Sequence, residues 1–329
     1  MHRRLLPLLG VAAVLAVATS SSTASASAAT PDPQLLATYE PQLQFDPLEQ
    51  FLPTKVESFI TDAALEQQTS PGTWNVVQQH AAPGNLPTTG NWRLNERACT
   101  PNAPVGGLDC YAAASSQSGG GPTIYGHVVH EGGDTILEYW FFYYDDVYSY
   151  TYPAGDLFWQ AHEGDWEEAM VVLSGDGQPV SVGYSQHCLG QTRAWADTPR
   201  FDDTHPIVHV AVGSHANYFT AGTHAINTAC IPPAAIAILR AHGLPLPVDY
   251  AFNGPTAGPP GSGGAVMPVQ QIDDNGPGWV QFPGYWGEAQ YFHAPAPIGT
   301  VALGNSPQGP AFHPEWSDPL GTLATWPAG

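Results

Sequence analysis

The chain has 329 residues, with 8 Lys and Arg against 29 Asp and Glu, for a formal net charge of -21. That balance repels nucleic acid and anionic membranes and attracts cations. The 35 glycines and 33 prolines favour short strands and loops over long helices. The 11% aromatic content excludes a disordered chain.

In chain order, His2-Arg3-Arg4, an apolar run from Leu5 to Ala18 and the Ala-rich stretch ending at Ala29 form a secretory signal peptide over 1–29. The expectation is a secreted, extracellular protein, monomeric, with no transmembrane segment, because no later apolar run is long enough to span. Without that peptide six basic residues face 29 acidic ones, or -23. Tyr39–Phe45 and Phe51–Pro53 read as extended, residues 66–122 as polar loops, and Ser115–Gly121 as a flexible connection. Cys99, Cys110, Cys188 and Cys230 make two disulfides in an exported chain. Of the three pairings, Cys99–Cys110 with Cys188–Cys230 is the simplest.

The middle of the chain is dense in strand signals. Ile136–Tyr144 is a buried β-prone run, followed by strands at Ala169–Leu173, Val180–Tyr184 and Ile207–Val212, with a turn at Ser174–Gly177. Pro233–His242 reads as the one short helix, stopped by Gly243. From Gly254 on, Gly- and Pro-rich sequence wraps the core. The expected fold is all-β: a single β-sandwich domain over 30–329 with long Gly/Pro-rich loops.

One stretch, Ala161–Leu173 (AHEGDWEEAMVVL), carries a histidine and four carboxylates into an apolar strand. The strand period puts Asp165 and Glu167 on one face, with His162 on a preceding loop that Gly164 bends. Counting back from the Ser174–Gly177 turn sets Asp165 opposite His187. Carboxylates gathered this closely raise each other's pKa unless a cation sits among them. One imidazole and several carboxylates suit Mg²⁺, Ca²⁺ or Mn²⁺ better than Zn²⁺. Asp145, Asp146 and Asp156 lie upstream as further oxygen donors. His215, at a strand end beside Asn217, and His187 are candidate acid/base residues. His209 reads as a core histidine, and His205 and His224 as loop residues. Gly183-Tyr184-Ser185-Gln186-His187 lacks the closing glycine of a serine-hydrolase elbow. Trp286 is either core or a sugar-stacking surface.

HEGDWE, then Gly183–His187, then the run His205–Tyr218, resembles the vacuolar-protein-sorting "sixty-two" family, as do the Tyr39–Pro53 segment and Tyr285-Trp286-Gly287. HEGDWE is more distantly similar to the Gly-His-Arg-His-Asp-Trp-Glu segment of the necrosis- and ethylene-inducing cytolysins. That similarity implies a β-sandwich in which His162, Asp165 and Glu167 help hold a divalent cation where a sugar headgroup is recognised. Asp156 is the nearest match to an additional upstream Asp, and Ser185-Gln186-His187 to a Ser-x-His-Gly segment. Ala161, Glu163 and Gly164 depart from the cytolysin pattern and remove its cationic groups. Two functions follow. One is a secreted protein that grips a glycan or lipid headgroup through a bound cation. The other is a metal-dependent hydrolase of a phosphodiester, phospholipid or glycan, with His187 or His215 as acid/base and Glu163 or Glu168 next.

Overall fold

The structure is a computed structural model that describes residues 31–97, 99, 106–117, 121–151, 157–294 and 299–329. The expected signal peptide and Asp156 lie outside the described residues. Asp32–Gly329 form one compact unit.

The chain starts with helix α1 (Asp32–Thr38), strand β1 (Gln42–Phe45) and helix α2 (Val56–Asp62). A three-stranded sheet follows: β2 (Ala64–Ser70), β3 (Thr73–Gln78) and β4 (Trp92–Asn95). Next come α3 (Gly106–Gln117), β5 (Ile124–Glu131), β6 (Asp134–Thr151), β7 (Leu157–Leu173), β8 (Pro179–Gln186) and β9 (Leu189–Ala194). Beyond them lie β10 (Arg200–Phe201), β11 (His205–Val210), β12 (Asn217–Tyr218), β13 (Gly222–Ala225), α4 (Pro233–Ala241), β14 (Val248–Ala251), β15 (Thr256–Gly258), β16 (Ala265–Val266) and β17 (Val269–Gln271). The chain ends with β18 (Gln290–Ala294), β19 (Gly299–Gly304), α5 (Pro314–Ser317) and α6 (Pro319–Leu323).

The fold is an all-β sandwich with short helices. The large sheet runs β17-β5-β6-β7-β18-β19, with β8 on β7 and β9 on β8. The second runs β10-β11-β1-β15-β16, with β12 on β11. Alternation explains the packing: Val208 and Val210 are buried while Ile207 and His209 are half-buried on the other face. His209 is therefore not the core histidine that the pattern promised. Leu43 and Phe45 join Val208 and Val210 in one cluster with Leu137, Tyr139, Phe141 and Val171 of the large sheet. Every residue of Tyr139–Tyr144 is fully or almost fully buried, as expected of that run. Trp286 is wholly enclosed among Phe59, Phe142, Trp166 and Trp279, which makes it core.

Two differences from the sequence reading are instructive. Residues 66–122 hold β2–β4 and α3, not only loops. Strand β3 alternates between exposed and half-buried positions, so no apolar rhythm marks it. Ser115–Gln117 end α3 instead of forming a linker. Both disulfides form with the simplest pairing, Cys99–Cys110 and Cys188–Cys230. Among the described residues no helix is long and apolar enough to cross a membrane.

Candidate metal centre

The site is set by how β7 pairs. One edge of β7 pairs with β6 along nearly its whole length. Its other edge is shared: Trp159–Ala161 pair with β18, and Ala169–Leu173 pair with β8. The segment 162–168 lies in the fork between those two partners. It is thus part of a long strand, not a loop ahead of one, yet its second edge carries no ladder. Side chains fill that gap: the Glu168 N–H donates to Ser185 Oγ at 2.7 Å, and Asn217 Nδ2 donates to the Glu168 carbonyl at 3.4 Å.

Gly164 sits inside this segment with φ +54°. A Cβ there would lie 2.1 Å from the Trp286 carbonyl oxygen, so the position admits glycine alone. A left-handed residue breaks the two-residue alternation of the strand. His162 and Asp165, three apart, consequently meet on one side. Asp146 on β6 lies directly opposite His162, and Tyr143 opposite Asp165.

Asp146, His162 and Asp165 are all buried, and one donor atom from each lies within 4.8 Å of the others. His162 Nε2 is 3.3 Å from Asp146 Oδ2. Asp146 Oδ1 is buried without a hydrogen-bond partner. The neighbouring Asp145, 0% exposed, has neither oxygen hydrogen-bonded. Burial and nearby carboxylates push Asp145 and Glu167 well above the ordinary carboxylate range. Burial raises Asp146 too, against the pull of His162. Burial works to lower His162, but the Asp146 carboxylate outweighs it and raises the imidazole to about 9. The unpartnered Asp146 oxygen, grouped with the His162 imidazole and the Asp165 carboxylate, fits a cation of the Mg²⁺, Ca²⁺ or Mn²⁺ kind.

The expected residues fall into three groups. His162 and Asp165 belong to the cluster. Glu167 flanks it, with its carboxylate accepting the Ser185 hydroxyl. Glu163 turns away and is held by the Tyr111 hydroxyl at 2.7 Å and by the N–H groups of Glu96 and Glu288 at 3.1 and 3.2 Å. Asp146, named upstream only as one oxygen donor of three, stands in the cluster itself. The signal that finds it is the β6–β7 register, which the sequence does not carry.

The two candidate acid/base histidines occupy tight turns, each with positive φ. His215 is fully enclosed. Its Nδ1 is 2.9 Å from Asp165 Oδ2, its ring stacks on Tyr143 at 3.8 Å, and its Nε2 faces Glu49 at 3.5 Å without a formed hydrogen bond. His187 is not paired opposite Asp165: the β7–β8 ladder ends at Ala169–Tyr184, and His187 lies in the turn after β8. Its Nε2 lies 2.8 Å from Asp249 Oδ2. Asp249, completely buried, also accepts from Ser214 Oγ at 2.7 Å and from the Tyr218 hydroxyl at 2.5 Å. Burial alone would raise Asp249, yet His187 and the two hydroxyls hold it below its ordinary range. His187, Ser214 and Asp146 line one cavity with Tyr148 and Gln160.

Fold and site define an all-β sandwich with a buried His/Asp cluster at the fork of one long strand. No family model matches the chain. It is similar to a Saccharomyces cerevisiae protein, the vacuolar protein sorting-associated TDA6, at 27% identity over 192 residues, covering 50% of this chain and 37% of the yeast one. The chain spans little more than a third of that curated relative's length. Among solved structures it is similar to Necrosis and Ethylene inducing Protein 2 from the agent of cocoa's Witches Broom disease. There the identity is 18%, the coverage 56% of this chain and 67% of that one, and the TM-score 0.32. NLPPya in complex with mannosamine gives 14%, 74%, 75% and 0.35 in the same order. The non-toxic HaNLP3 protein gives 11%, 72%, 73% and 0.37. The chain thus resembles both groups to which its HEGDWE segment pointed.

Proposed function

We propose that this is a divalent-cation protein that recognises a glycan or lipid headgroup through the ion, with Asp146, His162 and Asp165 as ligands and Glu167 beside them. The observation that carries this reading is the buried cluster itself: three donors within 4.8 Å, with Asp146 Oδ1 left without a partner. A bound cation supplies a Lewis-acidic centre for vicinal hydroxyls or phosphate oxygens. The chain's own residues orient it. His215 fixes Asp165, and Ser185 fixes Glu167. The net charge of -21 disfavours an anionic membrane as the partner. The disulfides fit the extracellular setting expected from the N-terminal segment.

A second reading, a metal-dependent hydrolase, is favoured by one observation. The His187–Asp249 pair opens on the same cavity as Asp146. A carboxylate that orients an imidazole makes a general base or acid beside the cation.

Calorimetric titration of chelator-stripped protein with Ca²⁺, Mg²⁺ and Mn²⁺, followed by a glycan and headgroup array with and without chelator, tests the first reading. One ion bound by wild type, lost in Asp165→Ala, with chelator-sensitive array binding, is the expected result. A folded wild type that binds no ion overturns it. Metal-dependent turnover that Asp165→Ala and His187→Ala both abolish, while His187→Ala retains the ion, would establish the second reading.

A further inference from the structure

The cavity that holds Asp146 and His187 at one end is apolar at the other, where Ile226, Ile231, Ala235, Leu239 and Phe292 line it. Sheet register sets this division. Asp146 lies opposite His162 across β6 and β7, and one step along the same strands Tyr148 lies opposite Gln160. Phe292 of β18 pairs with Gln160 on its other side. Residues two apart on a strand share a face, so the row Tyr148, Gln160, Phe292 runs beside the row Asp146, His162. Helix α4 packs on that second row. Ala235 and Leu239, four apart and so on one helix side, are buried in one cluster with Ile231 and Phe292. The Cys188–Cys230 bridge joins the residue after His187 to the residue before Ile231, which ties the polar end to the apolar one.

The size of the cavity limits what can enter. Its enclosed space is about 40 Å³. One water needs about 10–15 Å³, and an apolar cavity of about 150 Å³ takes a benzene ring. The space therefore admits a short alkyl group and excludes a ring or a long chain. Its polar end has one unmet demand, the buried Asp146 Oδ1. His187 and Ser214 are already bonded to Asp249, and the Tyr148 hydroxyl donates to the Val248 carbonyl. A ligand polar on every side would leave groups unpaired against Ile231, Leu239 and Phe292, which is costly.

We propose that the ligand carries a short alkyl group, of about two or three carbons, beside the oxygen that meets the cation, and that this group fills the apolar end of the cavity. The inference rests on the cation-recognition reading and specifies its ligand class. Two residues along a strand span about 7 Å, so the alkyl group lies within a few bonds of the ion-bound oxygen. A sugar hydroxylated at every carbon lacks such a group. A hydroxyl or phosphate ligand with a short alkyl substituent has it.

The test is calorimetry on the full chain, loaded with whichever of Ca²⁺, Mg²⁺ and Mn²⁺ it takes, with two probe series: n-alkyl phosphates and 1,2-alkanediols, each with alkyl groups from methyl to hexyl. Wild type and Ala235→Leu are compared, and circular dichroism establishes folding. The expected result is that affinity in one series rises about four-fold per methylene as far as ethyl or propyl and then levels off. The series that shows the rise tells phosphate from diol. Ala235→Leu, which fills the space, should keep the ion and lose the rise. Affinity that is flat from methyl to hexyl in ion-loaded wild type overturns the proposal and leaves the cation reading standing. A rise that continues unbroken to hexyl, or that persists in folded Ala235→Leu, overturns the size limit or the location. A wild type that takes no ion overturns the cation reading and this inference with it, and does so in the metal titration before any probe is added. If Ala235→Leu does not fold, the two wild-type series still decide.

Discussion

Asp165 of the large sheet is joined to His215, in the turn between β11 and β12, by a 2.9 Å hydrogen bond from the imidazole Nδ1. The imidazole is clamped by its stack on Tyr143 and is fully enclosed, so it orients a carboxylate rather than meeting a ligand. Groups that orient a metal ligand typically contribute 10- to 100-fold in affinity. His215→Ala should therefore bind the cation roughly 10- to 100-fold more weakly. His215→Gln, which keeps a donor, should recover part of the loss. Calorimetry on folded variants measures this, and unchanged affinity in His215→Ala would remove the positioning role.

Gly164→Ala should be severely destabilising. The substitution meets two penalties at once: a left-handed backbone at φ +54°, and a Cβ 2.1 Å from the Trp286 carbonyl, a backbone atom that a rotamer change cannot move. The loss should be on the order of 2–4 kcal/mol in chemical denaturation. Any folded fraction should bind cation poorly, because the shared side of His162 and Asp165 depends on this residue. A melting curve like that of wild type would contradict the account.

Much of this was legible in the sequence, for physical reasons. The runs Tyr139–Tyr144 and Ala169–Leu173 are so apolar that only a buried strand suits them, and the Pro233–Ala241 helix is bracketed by Pro and Gly. His162 and Asp165 were legible as a pair because acids beside an apolar strand need a reason. The strand's true reach was hidden, since HEGDWEE reads as polar while both faces of β7 are covered. The orientation of His187 was hidden as well. The β7–β8 ladder stops at Ala169–Tyr184 and leaves His187 in a turn beside Asp249, and nothing local announces where the ladder ends.

Asp146 is the ligand that cross-strand pairing adds. The resemblance to the cytolysins points to Asp156 as the upstream ligand, whereas cross-strand pairing sets Asp146 opposite His162. Asp146→Asn should abolish the ion held with His162 and Asp165. Elemental analysis of the purified variant checks this. Retention of the ion in folded Asp146→Asn would remove Asp146 from the ligand set.

The Cys188–Cys230 bridge begins one residue after His187 and closes a separation of 42 residues. By loop-closure entropy it should contribute about 4 kcal/mol, against about 3 kcal/mol for the separation of 11 at Cys99–Cys110. Replacing Cys188 and Cys230 together by Ser should lower stability more than the same change at Cys99 and Cys110. Denaturation of the two double variants provides the comparison. An equal loss in both would show that native strain or residual structure outweighs loop length.

Glu40 gives the pH dependence its sign. Its side chain is buried between α1 and β1 with Oε1 unpartnered, and burial raises its pKa from 4.5 to about 8. Between those values the native state holds a proton that the unfolded chain releases, so stability falls as pH rises through the window. The carboxyl keeps some solvent contact, so the loss should be roughly 2 kcal/mol, less than the shift would give at full burial. Glu40→Gln keeps the shape and removes the charge. Denaturation midpoints at about pH 5 and about pH 8.5 should diverge more for wild type than for the variant, with the variant the more stable at the higher pH. An identical pH slope in the two proteins would show that the Glu40 carboxyl titrates as it does in water.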